Sequence, residues 1–255
     1  MLPTLAPTRQ QLATLSTPHP RPAAEQLLDP AAGTVTIGVR ADGDPARLPL
    51  WTEHGAVHLS ISGGTDTPDV LTHIWAAESA SPLVSPWAAG FDQDLNNTVG
   101  PRLDGRACTP EQTHELLGAV VAEARARYGT AAAWPTTYQP TEAEPLITVT
   151  LTMWALTTCD PESVLLVDEL ARTGRRTGIS LRIAHHRHHR DTLGSAVYVA
   201  MNQGARIALR GQGSDVDLGE GPAAIPARLR GTGYLLTPGR DLALFRTWAQ
   251  QYTAA

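Results

Sequence analysis

From Gly33 onward the chain alternates two hydrophobic rhythms. Runs rich in β-branched residues read as strands: Thr34–Arg40, Arg47–Trp51, Ala56–Ser62, Leu146–Met153, Gly178–Ala184, Ala205–Arg210 and Thr232–Leu236. Between them lie helical patterns. Asp66–Ser79 reads as a helix with Thr67 as N-cap and Pro68 in its first turn. Thr109 with Gln112 forms a capping box around Pro110, and Leu116, Leu117, Val120, Val121 and Ala124 make the apolar stripe that follows. Asp160-Pro161 opens a third helix, running to about Arg176 and closed by Gly178. Leu83–Phe91 is a further short apolar segment. Strands alternating with helices predict an α/β fold: a mainly parallel sheet with helices on both faces.

Residues 1–32 differ. They carry six prolines among scattered polar residues and read as a Pro-rich N-terminal arm with a short helix around Ala23–Leu28, leaving 33–255 as one domain without internal repeats. Hydrophobic residues make up 42% of the chain and charged ones 18%, enough for a buried core. All 20 basic residues are arginine; there is no lysine. The net charge of −5 is uneven, with 8 arginines against 14 acids up to residue 128 and 12 against 11 beyond it. Overall acidity argues against a free-standing nucleic-acid binder. Cys108 and Cys159 stand far apart without a CxxC, which argues against a disulfide framework or a thiolate zinc site. No apolar run approaches the roughly 20 residues that span a bilayer, and the N-terminus lacks a signal-like stretch, so the expected location is the cytoplasm.

Several short segments, in order, are similar to one family. Leu170-Ala-Arg-Thr-Gly-Arg-Arg-Thr-Gly-Ile-Ser-Leu181 resembles the segment that follows the Walker B strand by one helix in FtsK/SpoIIIE-type DNA translocases. Asp191–Ser195, Gly204–Arg210, Gly231–Leu235 and Pro145–Val149 with Trp134-Pro135 upstream match the same family in order and spacing, most closely its actinobacterial versions on conjugative elements. The resemblance covers about Gly33 to Trp248 and implies a RecA-like P-loop NTPase fold.

Its catalytic motifs are altered. A P-loop needs glycines that free backbone N–H groups for phosphate, a lysine for the β/γ-phosphates and a hydroxyl for Mg²⁺. At the corresponding place stand Gly63, Gly64, Thr65, Asp66, Thr67, Pro68, Asp69 and Val70. Asp66 and Pro68 replace glycines, Asp69 the lysine and Val70 the hydroxyl. Like charges about 4 Å apart repel by roughly 4 kcal/mol at an effective dielectric near 20, so carboxylates here are expected to disfavour a polyphosphate. The Walker B acids, which act on magnesium and on the attacking water, correspond to Thr152 and Met153. Val164–Glu169 matches the Walker B pattern, but leaves no room for a helix before Gly178; Asp168 and Glu169 are expected on the exposed side of a helix from Pro161. His186 takes the place of the family's γ-phosphate-sensing glutamine.

Other constellations carry less. His185, His186, His188 and His189 around Arg187 read as a solvated loop rather than a metal site, since adjacent imidazoles cannot all face one ion. Arg172–Arg190 holds six arginines, four histidines and no acid; it reads either as a contact for DNA phosphates or a neighbouring subunit, through Arg172, Arg175, Arg176, Arg187 and Arg190, or as a solvated face. His54, His58 and His73 are expected around the altered loop without a catalytic partner, and the six tryptophans as core or interface residues.

The resemblance then implies a catalytically degenerate translocase domain with no catalytic residue, cofactor or metal of its own. It would be a structural or regulatory partner of an active FtsK-like translocase or other transfer-complex subunit, recruited from the cytoplasm to a membrane-bound complex. Two alternatives stay open. One is a translocase subunit that binds ATP weakly or is completed in trans, with Arg172 or Arg175 as a finger. The other is a non-motor module binding duplex DNA or protein; self-association into a homo-oligomer is compatible with all three.

Overall fold

In the computed structural model, residues 6–90, 103–131, 138–152, 160–185, 193–211, 221–239 and 241–248 are described. Helix ends follow local chemistry. In α4 (Pro161–Thr177), Asp160 accepts the Ser163 N–H at 2.7 Å, and Gly178 closes the helix at φ 69°, where a Cβ would run into the Tyr138 ring. In α3 (Pro110–Ala131), Thr109 accepts from the Gln112 N–H, while the Gln112 side chain reaches the Cys108 N–H rather than that of Thr109. Arg127, on α3 and almost fully buried, donates to the carbonyls of Pro145, Thr177 and Gly178, so it covers exposed acceptors at the end of α4.

The strands of the main sheet are β1 (Leu28–Asp29), β2 (Thr34–Arg40), β3 (Pro45–Pro49), β6 (Leu59–Ser62), β7 (Val84–Ala89), β8 (Gly105–Ala107), β9 (Leu146–Thr152), β10 (Ile179–His185), β11 (Ala205–Leu209), β12 (Thr232–Leu236) and β13 (Leu242–Thr247). They lie in the order β1-β2-β13-β12-β11-β6-β10-β9-β7-β8, with β3 on β2; β4 (Trp51–Thr52) and β5 (Gly55–Ala56) form a separate hairpin. From β11 to β8 every pairing is parallel, and from β11 to β1 every pairing is antiparallel. The central parallel sheet is as predicted. The expected strand Arg47–Trp51 breaks at a bend at Leu50, whose N–H goes to the Gly33 carbonyl, and Ala56–Ser62 divides into β5 and β6, with Val57-His58 between them outside either strand. β8, β13 and α5 (Ser195–Gln203) carry no clear sequence period and went unpredicted; Leu83–Phe91 proves to be mostly β7.

Each face of the sheet has its own core. Val70, Leu71, Ile74 and Trp75 of α2 (Thr67–Glu78) cover one face over Leu59 and Ile61. Leu117, Val120 and Val121 of α3, Val167 and Leu170 of α4, and Val197 and Met201 of α5 cover the other over Val149, Leu181 and Ile183. Asp168 and Glu169 lie on α4 as expected, Glu169 paired with Arg125 at its surface. Part of the stretch 1–32 packs on the body: Leu15, at the end of α1 (Arg9–Thr14), is fully buried against Leu229, Tyr234 and Leu244, and Leu27 and Leu28 join the α2-side core.

Candidate functional site

Parallel strands of this topology leave a crevice at their carboxyl ends, beside the strand where the order reverses. That strand is β6, flanked by β10 and β11. The altered loop Gly63–Val70 leaves β6 here and turns into α2. Gly63 is required by close approach: a Cβ would lie 2.6 Å from Leu209 Cβ on β11. The helix starts one residue earlier than its sequence suggests. Asp66, not Thr67, is the N-cap, and makes no side-chain bond to its own helix. The Thr67 hydroxyl instead donates back to the Gly63 carbonyl.

The Asp66 carboxylate turns across the crevice, toward the end of β11 and the start of β12. Its Oδ1 accepts from Arg210 Nη2 at 2.8 Å; its Oδ2 lies 2.7 Å from Arg210 Nε and accepts the Gly231 N–H at 2.8 Å. Arg230 Nε donates to Asp69 Oδ2 at 2.7 Å and stands 4.0 Å from Asp66 Oδ1. Both aspartates are buried, Asp66 at 2% exposure and Asp69 at 7%. Burial holds the Asp69 carboxyl above its usual range, against the Arg230 guanidinium, which pulls it down. Two guanidiniums, those of Arg210 and Arg230, thus face the two carboxylates of the loop.

Several groups that a P-loop would offer a phosphate are engaged elsewhere or missing here. Gly63 N–H is spent on the His185 carbonyl and Thr67 N–H on that of Gly64, at 3.3 Å each, while Pro68 has none to offer. Val70 is fully buried in the core and supplies no hydroxyl. Thr65 lies against Asp66, its hydroxyl 3.4 Å from Oδ1. Thr152 ends β9 at the same edge, its hydroxyl donating to the Gly90 carbonyl at 2.7 Å. Met153, His186, Arg187 and Arg190 lie outside the described residues, as do His188 and His189.

The remaining expectations divide. His185 is not part of a solvated loop: it ends β10, buried, with Nε2 2.7 Å from Ser60 Oγ. Arg182 leaves the proposed basic face as well, buried on β10 and paired with Glu78. Arg172, Arg175 and Arg176 sit on the last turns of α4, which lead into the start of β10, the edge opposite the loop; Arg172 and Arg176 are exposed there. His58 precedes β6 at that opposite edge and accepts the Leu181 N–H, and His54 lies exposed in the β4–β5 turn. Only His73, on α2, is near the loop in sequence, and its Nε2 faces the Trp248 carbonyl. Burial, reinforced by Arg175 and Arg21 respectively, lowers His58 and His73 to about 4, so both are neutral core groups at pH 7.

Arg210, Arg230 and Gly231 were missed as site residues. Charge balance could have found them, since two buried acids need cations, and Arg210 follows β11 while Arg230 precedes β12.

The chain matches no family model and no curated protein. Solved structures do share its architecture. EccC (ATPases 2 and 3) of Thermomonospora curvata, in complex with a signal sequence peptide, aligns with a TM-score of 0.65 at 15% identity, over 98% of this chain and 44% of that one. The pCW3 conjugation coupling protein TcpA, a monomer form with ATPγS, aligns at 0.66 and 17% over 90% of this chain and 69% of its own. EssC (ATPases 2 and 3) from Geobacillus thermodenitrificans aligns at 0.65 and 14%, over 90% and 46%. This chain thus spans less than half of the EccC and EssC chains. Strand order and these alignments together give it the RecA-like P-loop NTPase fold, with a mostly parallel central sheet.

Proposed function

We propose that this chain is a catalytically silent, FtsK-like P-loop domain acting as a structural or regulatory subunit of a DNA-transfer ATPase assembly. The observation that carries this reading is the ion-paired loop: Asp66 and Asp69, held by Arg210 and Arg230, stand where a P-loop would take phosphate. The fold it shares with a conjugation coupling protein and with secretion ATPases supports the assembly part. In this reading the domain of residues 33–255 keeps the scaffold of an actinobacterial conjugative-element translocase and has lost its chemistry. Exposed Arg172 and Arg176, with Arg175 between, meet an active translocase subunit or duplex DNA, and partners bring the domain to the membrane. No helix among the described residues is long and apolar enough to cross a membrane.

The test is a nucleotide titration of the purified chain with and without magnesium, followed by ATP turnover with and without duplex DNA. Neither saturable binding nor turnover is expected. DNA-stimulated hydrolysis at a motor's rate would sink the proposal.

A further inference from the structure

Asp66 is bound as a ligand is bound. Its Oδ1 accepts from Arg210 Nη2 at 2.8 Å, and its Oδ2, 2.7 Å from Arg210 Nε, accepts the Gly231 N–H at 2.8 Å. A guanidinium beside a backbone N–H is a donor set that suits phosphoryl oxygens as well as carboxylate oxygens. Arg230, beside it on Asp69, adds a second cation within 4.0 Å of Asp66 Oδ1. The donors come from the β11 end and the β12 start, more than 140 positions away along the chain, so they are not the local cap of the helix that bears Asp66.

We infer that Arg210, Arg230 and the Gly231 N–H form an anion receptor of the phosphate class, which the chain fills with its own Asp66 carboxylate. The site is plugged rather than erased. A tethered carboxylate competes at a high effective concentration, so free phosphate cannot displace it at ordinary levels. A neutral residue at 66 removes the competitor and leaves Arg210 and the Gly231 N–H without that carboxylate. This inference rests on the reading of the loop as a former phosphate site, yet it fails separately from it.

The experiment uses the full chain and inorganic phosphate, titrated against sodium chloride at constant ionic strength, with the thermal midpoint and calorimetric binding as readouts. For the unaltered protein, phosphate and chloride should give the same midpoint. Asp66→Asn keeps the shape and an acceptor for the Gly231 N–H; it should melt lower in chloride and regain the loss in phosphate, with binding at least about tenfold tighter than in the unaltered protein. Asp66→Gly should respond the same way if it folds. Arg210→Gln added to Asp66→Asn should abolish the response. The inference is overturned if phosphate moves the unaltered chain and Asp66→Asn equally, if the response survives Arg210→Gln, or if phosphate neither binds nor restores Asp66→Asn. An inert chain whose Asp66→Asn form ignores phosphate overturns the plug and leaves the silent-subunit reading standing. ATP hydrolysis by the unaltered chain overturns that reading whatever the variant does.

Discussion

Helix α2 has a carboxylate–guanidinium group at each end. At its C-terminal end Glu78 pairs with Arg182 of β10 and accepts the Thr148 hydroxyl, all fully buried. At its N-terminal end Asp66 and Asp69 pair with Arg210 and Arg230, at the mouth of the crevice, where Arg210 keeps 18% of its side chain exposed and Arg230 55%. The helix dipole favours the aspartates and opposes Glu78. Glu78 therefore depends on Arg182 for its charge to be tolerated, whereas the aspartates have a helix terminus and water nearby as well. Similar chemistry thus serves two ends differently: the interior pair is sealed structure, and the crevice group is held in place but reachable.

Breaking the interior pair should have the largest effect. Glu78→Ala strands a guanidinium that is 1% exposed and should cost about 3–5 kcal/mol in urea unfolding. Glu78→Leu with Arg182→Met should recover most of that loss, because the pair's attraction only offsets its desolvation. Arg210→Ala should cost less, about 2–3 kcal/mol by the same measurement, because Asp66 keeps the Gly231 N–H and lies nearer water. A loss as large as that of Glu78→Ala would show that the crevice is as sealed as the interior. Arg230→Ala, which removes a half-exposed partner, should cost about 1 kcal/mol or less.

The smallest effect concerns Asp69. Burial raises its carboxyl above the ordinary aspartate range, so the folded chain holds that proton more tightly than the unfolded one. The contribution is complete below the unfolded value and is lost as pH rises through the folded one. Asp69→Asn, uncharged throughout, should match the unaltered chain below the unfolded aspartate range and gain slightly at pH 7, in thermal melts across that range. A loss at pH 7 would mean that Arg230 outweighs burial.

The place of the loop was legible in the sequence because strand, glycine turn and helix are contiguous: Gly63 follows β6 and Thr67 opens α2. Its neutralisation was not. The arginines that complete it stand just after β11 and just before β12, more than 140 positions along the chain. The basic run from Arg172 divides in space for the converse reason. Arg182 lies on β10, whose residues are buried throughout, while Arg172 and Arg176 lie exposed on α4.

What the sequence determined by itself is therefore local: caps at Thr109, Asp160 and Gly178, the apolar stripe of α3, and the strands of the parallel sheet. These follow from side chains acting on their own backbone or on one face within a few residues. The tertiary structure alone decided the antiparallel extension through β13, the neutral burial of His58 and His185's place at the end of β10. It alone brought Asp66 to Arg210 across 144 positions, Asp69 to Arg230 across 161 and Glu78 to Arg182 across 104. Charges find partners only where packing excludes water, and packing is set by the whole chain at once.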